Sequence, residues 1–92
     1  MRVNFFATLR LVVGQKTVDF PLPDGTTARE LLAEIAKQYP AMRKEVYDGK
    51  GNLYEHIHVF VNGRDVLFLE NAIDTPLYGT DTISVFPAIG GG

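Results

Sequence analysis

The chain has no cysteine among its 92 residues. That absence excludes disulfides, cysteine-ligated zinc and a thiol nucleophile, and it leaves the compartment open. Excess positive charge is missing as well. Nine Lys and Arg stand against eleven Asp and Glu, for a net charge of −2, and the basic residues are scattered along the chain. No basic stripe forms, so nucleic acid is not an expected partner. No apolar run approaches the ~18 residues that a membrane span needs. The opening Arg2-Val3-Asn4-Phe5-Phe6 is too short and too polar in its flanks for a secretory leader. No membrane partner and a soluble cytoplasmic protein are therefore expected. Internal repeats, linkers and low-complexity stretches are absent up to the last three residues. What is present is ordinary for a globular domain: 46% hydrophobic and 22% charged residues, enough for one domain with one small core.

The exception is the end of the chain, Gly90-Gly91-Gly92. At average glycine usage, three terminal glycines arise by chance in roughly 3 chains per 10,000. A glycine run has no side chains to pack and is costly to order. It can pass through a channel too narrow for any residue with a Cβ and present a carboxylate beyond it. The alternatives are a frayed terminus or a cloning scar.

Residues Val3 to Leu9 are read as a strand, with Val3, Phe5, Ala7 and Leu9 on one face and Asn4, Phe6 and Thr8 on the other. Gly14-Gln15 marks a turn into a second strand, Thr17 to Phe20, and Pro21, Pro23, Asp24 and Gly25 end the hairpin. Thr27-Ala28-Arg29-Glu30 fits a capping box. Ala28, Leu31, Leu32, Ile35 and Tyr39 follow at helical spacing, so residues 27–39 are predicted as the main helix, stopped by Pro40. Residues 41–55 resist placement beyond a turn at Asp48 to Asn52. His56 to Val61 is predicted as a strand, Asn62-Gly63 as a hairpin turn and Arg64-Asp65-Val66 as the return strand. A short irregular or 3₁₀ stretch (67–77) and a turn (78–81) lead to a last strand, Thr82 to Phe86. Pro87-Ala88-Ile89 then connects to the glycines. One amphipathic helix following a hairpin must cover a sheet face. The expected class is α+β, a β-grasp, ubiquitin-like fold with a mixed sheet of four to five strands and one main helix packed on one face. Its first and last strands would be central parallel neighbours, with the third strand beyond the last.

Phe5-Phe6-Ala7-Thr8-Leu9-Arg10, Val59-Phe60-Val61-Asn62-Gly63, Asp81 to Pro87 and the terminal Gly91-Gly92 carry a resemblance. Over essentially its whole length the sequence resembles the MoaD/ThiS family of ubiquitin-like sulfur carriers. The F-P-x-x-x-G-G ending is the specific part. The stretch His56 to Leu77 is most similar to a MoaD-like subset that includes the small archaeal modifier proteins. The resemblance implies residues 1–89 as a single β-grasp domain and 90–92 as a flexible tail. It further implies that a MoeB/ThiF-like adenylating enzyme joins the Gly92 carboxylate to AMP, consuming MgATP, with no cofactor bound by the chain itself. Sulfur, supplied with the help of a sulfurtransferase, then replaces AMP to give a thiocarboxylate. In the small subunit of molybdopterin synthase that sulfur serves molybdenum cofactor biosynthesis, with a MoaE-like large subunit as partner. Modifier members instead join their terminus to lysines of target proteins. Gly90 and Gly91 would form the narrow approach to the partner's site. Gly90 departs from the family, which often has another residue there. A β-grasp binding module with an inert tail is the third class. In every case the chain has no nucleophile–base constellation of its own, and the catalytic groups belong to partners.

If the alternating apolar residues of the central strands face the helix, Phe6, Phe60 and Phe86 face away on three neighbouring strands. With His58 beside them they form a candidate patch for docking the activating enzyme or a synthase large subunit. The alternatives are scattered exposure or coverage by residues 41–55. His56 and His58, two apart on one strand, would share a face, but two ligands without a third make a weak metal site, so no metal is expected. Glu70, Asp74 and Asp81 are read as turn or capping residues.

Overall fold

The computed structural model describes residues 1–87 of the chain. Ala88 to Gly92, and with them the predicted glycine arm and most of its connection, lie outside the described residues. The strands are β1 (Arg2–Phe5), β2 (Thr17–Asp19), β3 (Ile57–Val61), β4 (Arg64–Asp65) and β5 (Ile83–Pro87). They form one sheet in the order β2-β1-β5-β3-β4. β1 and β5 run parallel at its centre, and every other pairing is antiparallel. This is the β-grasp order expected from the sequence.

The side-chain alternation of β3 and β5 fixes which face is dry. Ile57, Val59, Val61, Ile83 and Val85 are buried on one side, and His58, Phe60, Ser84 and Phe86 are half-buried on the other. Against the dry side packs a helix, α2 (Ala28–Gln38), through Ala28, Leu31, Leu32 and Ile35. Its capping box is complete. The Glu30 amide donates to Thr27 Oγ1 at 3.1 Å, and the Thr27 amide donates to Glu30 Oε1 at 2.9 Å. The helix gives way at Tyr39, ahead of Pro40.

Residues 41–55, which the sequence left open, complete the same side. A 3₁₀ turn (Pro40–Met42) runs into a short helix (Arg43–Val46), and both Met42 and Val46 are fully buried in the core. The segment thus covers the helix side of the sheet. Asp48 organises the exposed loop that follows, its Oδ1 accepting from the amides of Lys50 and Asn52.

Three sequence expectations fail here. The predicted strand Val3 to Leu9 stops at Phe5, and Ala7–Val13 is a helix, α1. The chain leaves the sheet at Ala7, in the left-handed region at φ 54°. Gly14 ends the helix at φ 82°, its amide donating to the Arg10 carbonyl at 2.8 Å. Leu9 and Val13, four apart, are buried, while Leu11 is 81% exposed. Ala7 therefore does not share the inward row of Val3 and Phe5. His56, expected in β3, precedes it in a turn, and its ring stacks on Tyr54 with centroids 4.5 Å apart. It does not share a strand face with His58. Val66, expected in the return strand, opens a 3₁₀ turn because Asp65 Oδ1 accepts from the Leu67 amide at 3.0 Å.

Candidate docking site

The sheet face away from α2 carries two cross-strand rows. Register places Thr17, Asn4, Ser84, Phe60 and Asp65 side by side across β2, β1, β5, β3 and β4. In the next row Phe86 stands opposite His58. Phe6 joins that row because it keeps an extended backbone (φ −127°, ψ 155°), its amide donating to the Val85 carbonyl. The three phenylalanines therefore meet, as the alternation predicts. Phe6 stacks on Phe86 with centroids 4.4 Å apart and 13° between planes, and Phe60 meets Phe86 edge-on at 5.0 Å and 66°. Both geometries suit aromatic quadrupoles. Because the rings shield one another, all three are half-buried.

Phe60, Phe86, Pro87, His58 and Asp65 line a mainly apolar groove of about 420 Å³. Asp65 is the residue that the sequence reading missed. Its carboxylate accepts from His58 Nδ1–H at 2.9 Å through Oδ2 and from the Leu67 amide through Oδ1. The signal was available in the register around Asn62-Gly63, which sets Asp65 opposite Phe60 and diagonal to His58. The Asp65 side chain is 9% exposed and that of His58 34%. The carboxylate is thus held in a nearly dry site by two donors, and the imidazole stands at the rim.

The other acidic candidates have structural work. Asp81 accepts from the Tyr78 amide and from Asn62 Nδ2. Asp74 receives Arg29 Nε at 2.8 Å and Nη2 at 3.3 Å, and this hydrogen-bonded guanidinium holds its carboxyl below the usual aspartate range. Glu70, expected in a turn, lies in one. None of the three lies in the groove. Gly90, Gly91 and Gly92 lie outside the described residues.

A central parallel β1–β5 pair, one covering helix and an aromatic outer face define a ubiquitin-like β-grasp protein. The sequence pattern of the ThiS family matches residues 3–92. The chain belongs to the ThiS family. It is 34% identical over 92 residues to Small archaeal modifier protein 3 of Haloferax volcanii, covering 100% of this chain and 98% of that one. The crystal structure of SAMP1 from Haloferax volcanii superimposes with a TM-score of 0.82 at 28% identity, covering 99% of this chain and 97% of the other. A Pyrococcus furiosus protein provisionally assigned as molybdopterin converting factor subunit 1 superimposes with a TM-score of 0.72 at 29% identity, covering 96% and 95%. No helix among the described residues is long and apolar enough to cross a membrane.

Proposed function

We propose that this chain is a carrier whose Gly92 carboxylate is activated by adenylation and converted to a thiocarboxylate for molybdenum cofactor biosynthesis. A free carboxylate is a poor acyl donor, because the group it would expel is an oxide. Attack of the carboxylate on MgATP, with loss of pyrophosphate, gives an acyl-adenylate whose leaving group is AMP. Sulfide-level sulfur, released from a sulfurtransferase persulfide by a thiol reductant, then attacks the acyl carbon and expels AMP, leaving the thiocarboxylate. A MoeB/ThiF-like enzyme supplies the first site and a MoaE-like large subunit the pterin site, while residues 1–89 serve as one domain that both partners grip. Residues 90–92 serve as the arm that enters them. The cytoplasm is the natural setting for this chemistry.

The observation that carries this reading is the family match running through Gly92, joined to a fold in which β5 ends at Pro87 on the rim of the aromatic groove. A surface for gripping the chain and the route to its terminus thus adjoin. The full-length 34% identity to a small archaeal modifier favours a second reading, conjugation of Gly92 to lysines of target proteins. Both readings require the same adenylate. The test is ATP–pyrophosphate exchange by the adenylating enzyme of the source organism. Exchange should depend on this chain and be lost when Gly92 is deleted. Exchange that survives the deletion contradicts the proposal, and absence of exchange with the intact chain favours a β-grasp binding module.

A further inference from the structure

We infer that His58 Nε2 accepts a hydrogen bond from the enzyme that activates Gly92, and that Asp65 positions it by fixing the ring tautomer. The inference rests on the Gly92 reading above and adds the polar contact that orients the docked enzyme.

The occupant follows from the length of chain beyond the groove. Pro87 lines the groove, and five residues separate it from Gly92 inclusive. Even fully extended, five residues span at most about 17–18 Å. An enzyme that closes on the Gly92 carboxylate therefore has its reactive centre within that distance of the groove, and its body covers the rim. An apolar surface alone sets little direction, because the hydrophobic effect is non-directional. A hydrogen bond at its edge does.

His58 is the group placed to make one. A carboxylate oxygen only accepts, so the 2.9 Å contact to Asp65 Oδ2 requires the proton on Nδ1. In the neutral ring Nε2 is then a bare acceptor. It makes no hydrogen bond among the described residues. His58 lines the groove and its side chain is 34% exposed, so the ring stands within reach of a docked partner. Asp65 is itself held on its second oxygen by the Leu67 amide, which keeps the carboxylate from swinging away. Without Asp65 the ring could place its proton on Nε2 and meet a partner's donor with a donor. Covering the rim desolvates Nε2, so an enzyme without a matching N–H or O–H loses a hydrogen bond to water and gains none.

Two measurements on the full-length chain test this. Long-range ¹H–¹⁵N correlation should show neutral His58 with Nδ1 protonated and Nε2 bare, and Asp65→Asn should shift the ring to a mixture of tautomers. A ring protonated on Nε2 in the unsubstituted chain overturns the inference. Binding to the source organism's adenylating enzyme should weaken about tenfold in His58→Ala, the scale of one lost hydrogen bond. It should stay within about threefold in His58→Gln, whose Oε1 restores an acceptor near the Nε2 position. Equal weakening by both substitutions, or by neither, overturns the inference. Pyrophosphate exchange by the unsubstituted chain, run on the same samples, separates the two failures. If exchange is present while the binding pattern fails, the inference falls and the Gly92 reading stands; absent exchange removes both.

Discussion

Asn62 joins two parts of the sheet. With Gly63 it forms a hairpin turn in which both residues have positive φ, 52° and 84°, the conformation a type I′ turn needs. Its side chain then reaches the loop ahead of β5, donating from Nδ2 to Asp81 Oδ1 at 3.0 Å and accepting from the Thr82 amide at 2.9 Å. The turn was legible in the sequence, since Asn-Gly between apolar runs has few other uses. The clamp was not, because nothing local brings residue 62 to residues 81 and 82. Asn62→Gly keeps the turn and removes the clamp. It should cost about 1–2 kcal/mol, or about 4–16 °C in Tm for a domain of this size; an unchanged Tm would mean that water replaces both bonds fully. The Arg29–Asp74 pair has a smaller role because it is exposed. Asp74 is held below its ordinary value by the Arg29 hydrogen bond, so its contribution is present at neutral pH and fades as pH falls through the lowered value, below about 3.9. In urea titrations, Asp74→Asn should flatten the acid limb of stability slightly and leave neutral stability nearly unchanged.

The elements divide into those that announce themselves and two stretches that do not. The capping box, the apolar stripe and Pro40 mark both ends of α2, and period-two alternation marks β3 and β5. α1 was hidden for three reasons. Phe5, Phe6 and Thr8 favour strands, Ala7 gives no sign that it will take a positive φ, and Gly14 serves equally as a hairpin turn or a helix C-cap. Leu9 and Val13 were at helical spacing, but in a seven-residue helix that pair is too little to outweigh the strand-forming residues before it. The two conformations make opposite predictions for Leu11. In a strand continued that far, Leu9 and Leu11 would share the buried face; in the helix only Leu9 is buried. Leu9→Ala should therefore cost about 2–5 kcal/mol, while Leu11→Ala should change stability by no more than about 0.5 kcal/mol. Comparable losses from both substitutions, in chemical denaturation, would restore the strand. The 41–55 segment was illegible for a different reason. Its two anchors, Met42 and Val46, sit amid charged residues, and only the core they enter gives them meaning.

At the scale of the whole molecule the sheet separates two tasks. One face, closed by α2 and the 40–46 segment, holds the fold. The other gathers three aromatic rings and a His–Asp pair around the point where β5 delivers the chain toward its glycines. The aromatic face was readable from alternation once the central strands were ordered. The His58–Asp65 pair was harder to read, because only the register of the two-residue Asn62-Gly63 turn sets Asp65 diagonal to His58. This division predicts that Phe60→Glu spoils docking without unfolding the chain. Binding to the adenylating enzyme should fall at least tenfold, about 1.4 kcal/mol or more, with Tm nearly unchanged; a collapse of Tm would place Phe60 among the residues that hold the fold. The activated terminus itself is most directly tested by the intact mass of the protein after incubation with the adenylating enzyme, MgATP and a sulfur donor. The account predicts the gain expected for one oxygen replaced by sulfur, abolished by deletion of Gly92. An unchanged mass, or a gain that persists without Gly92, would contradict it.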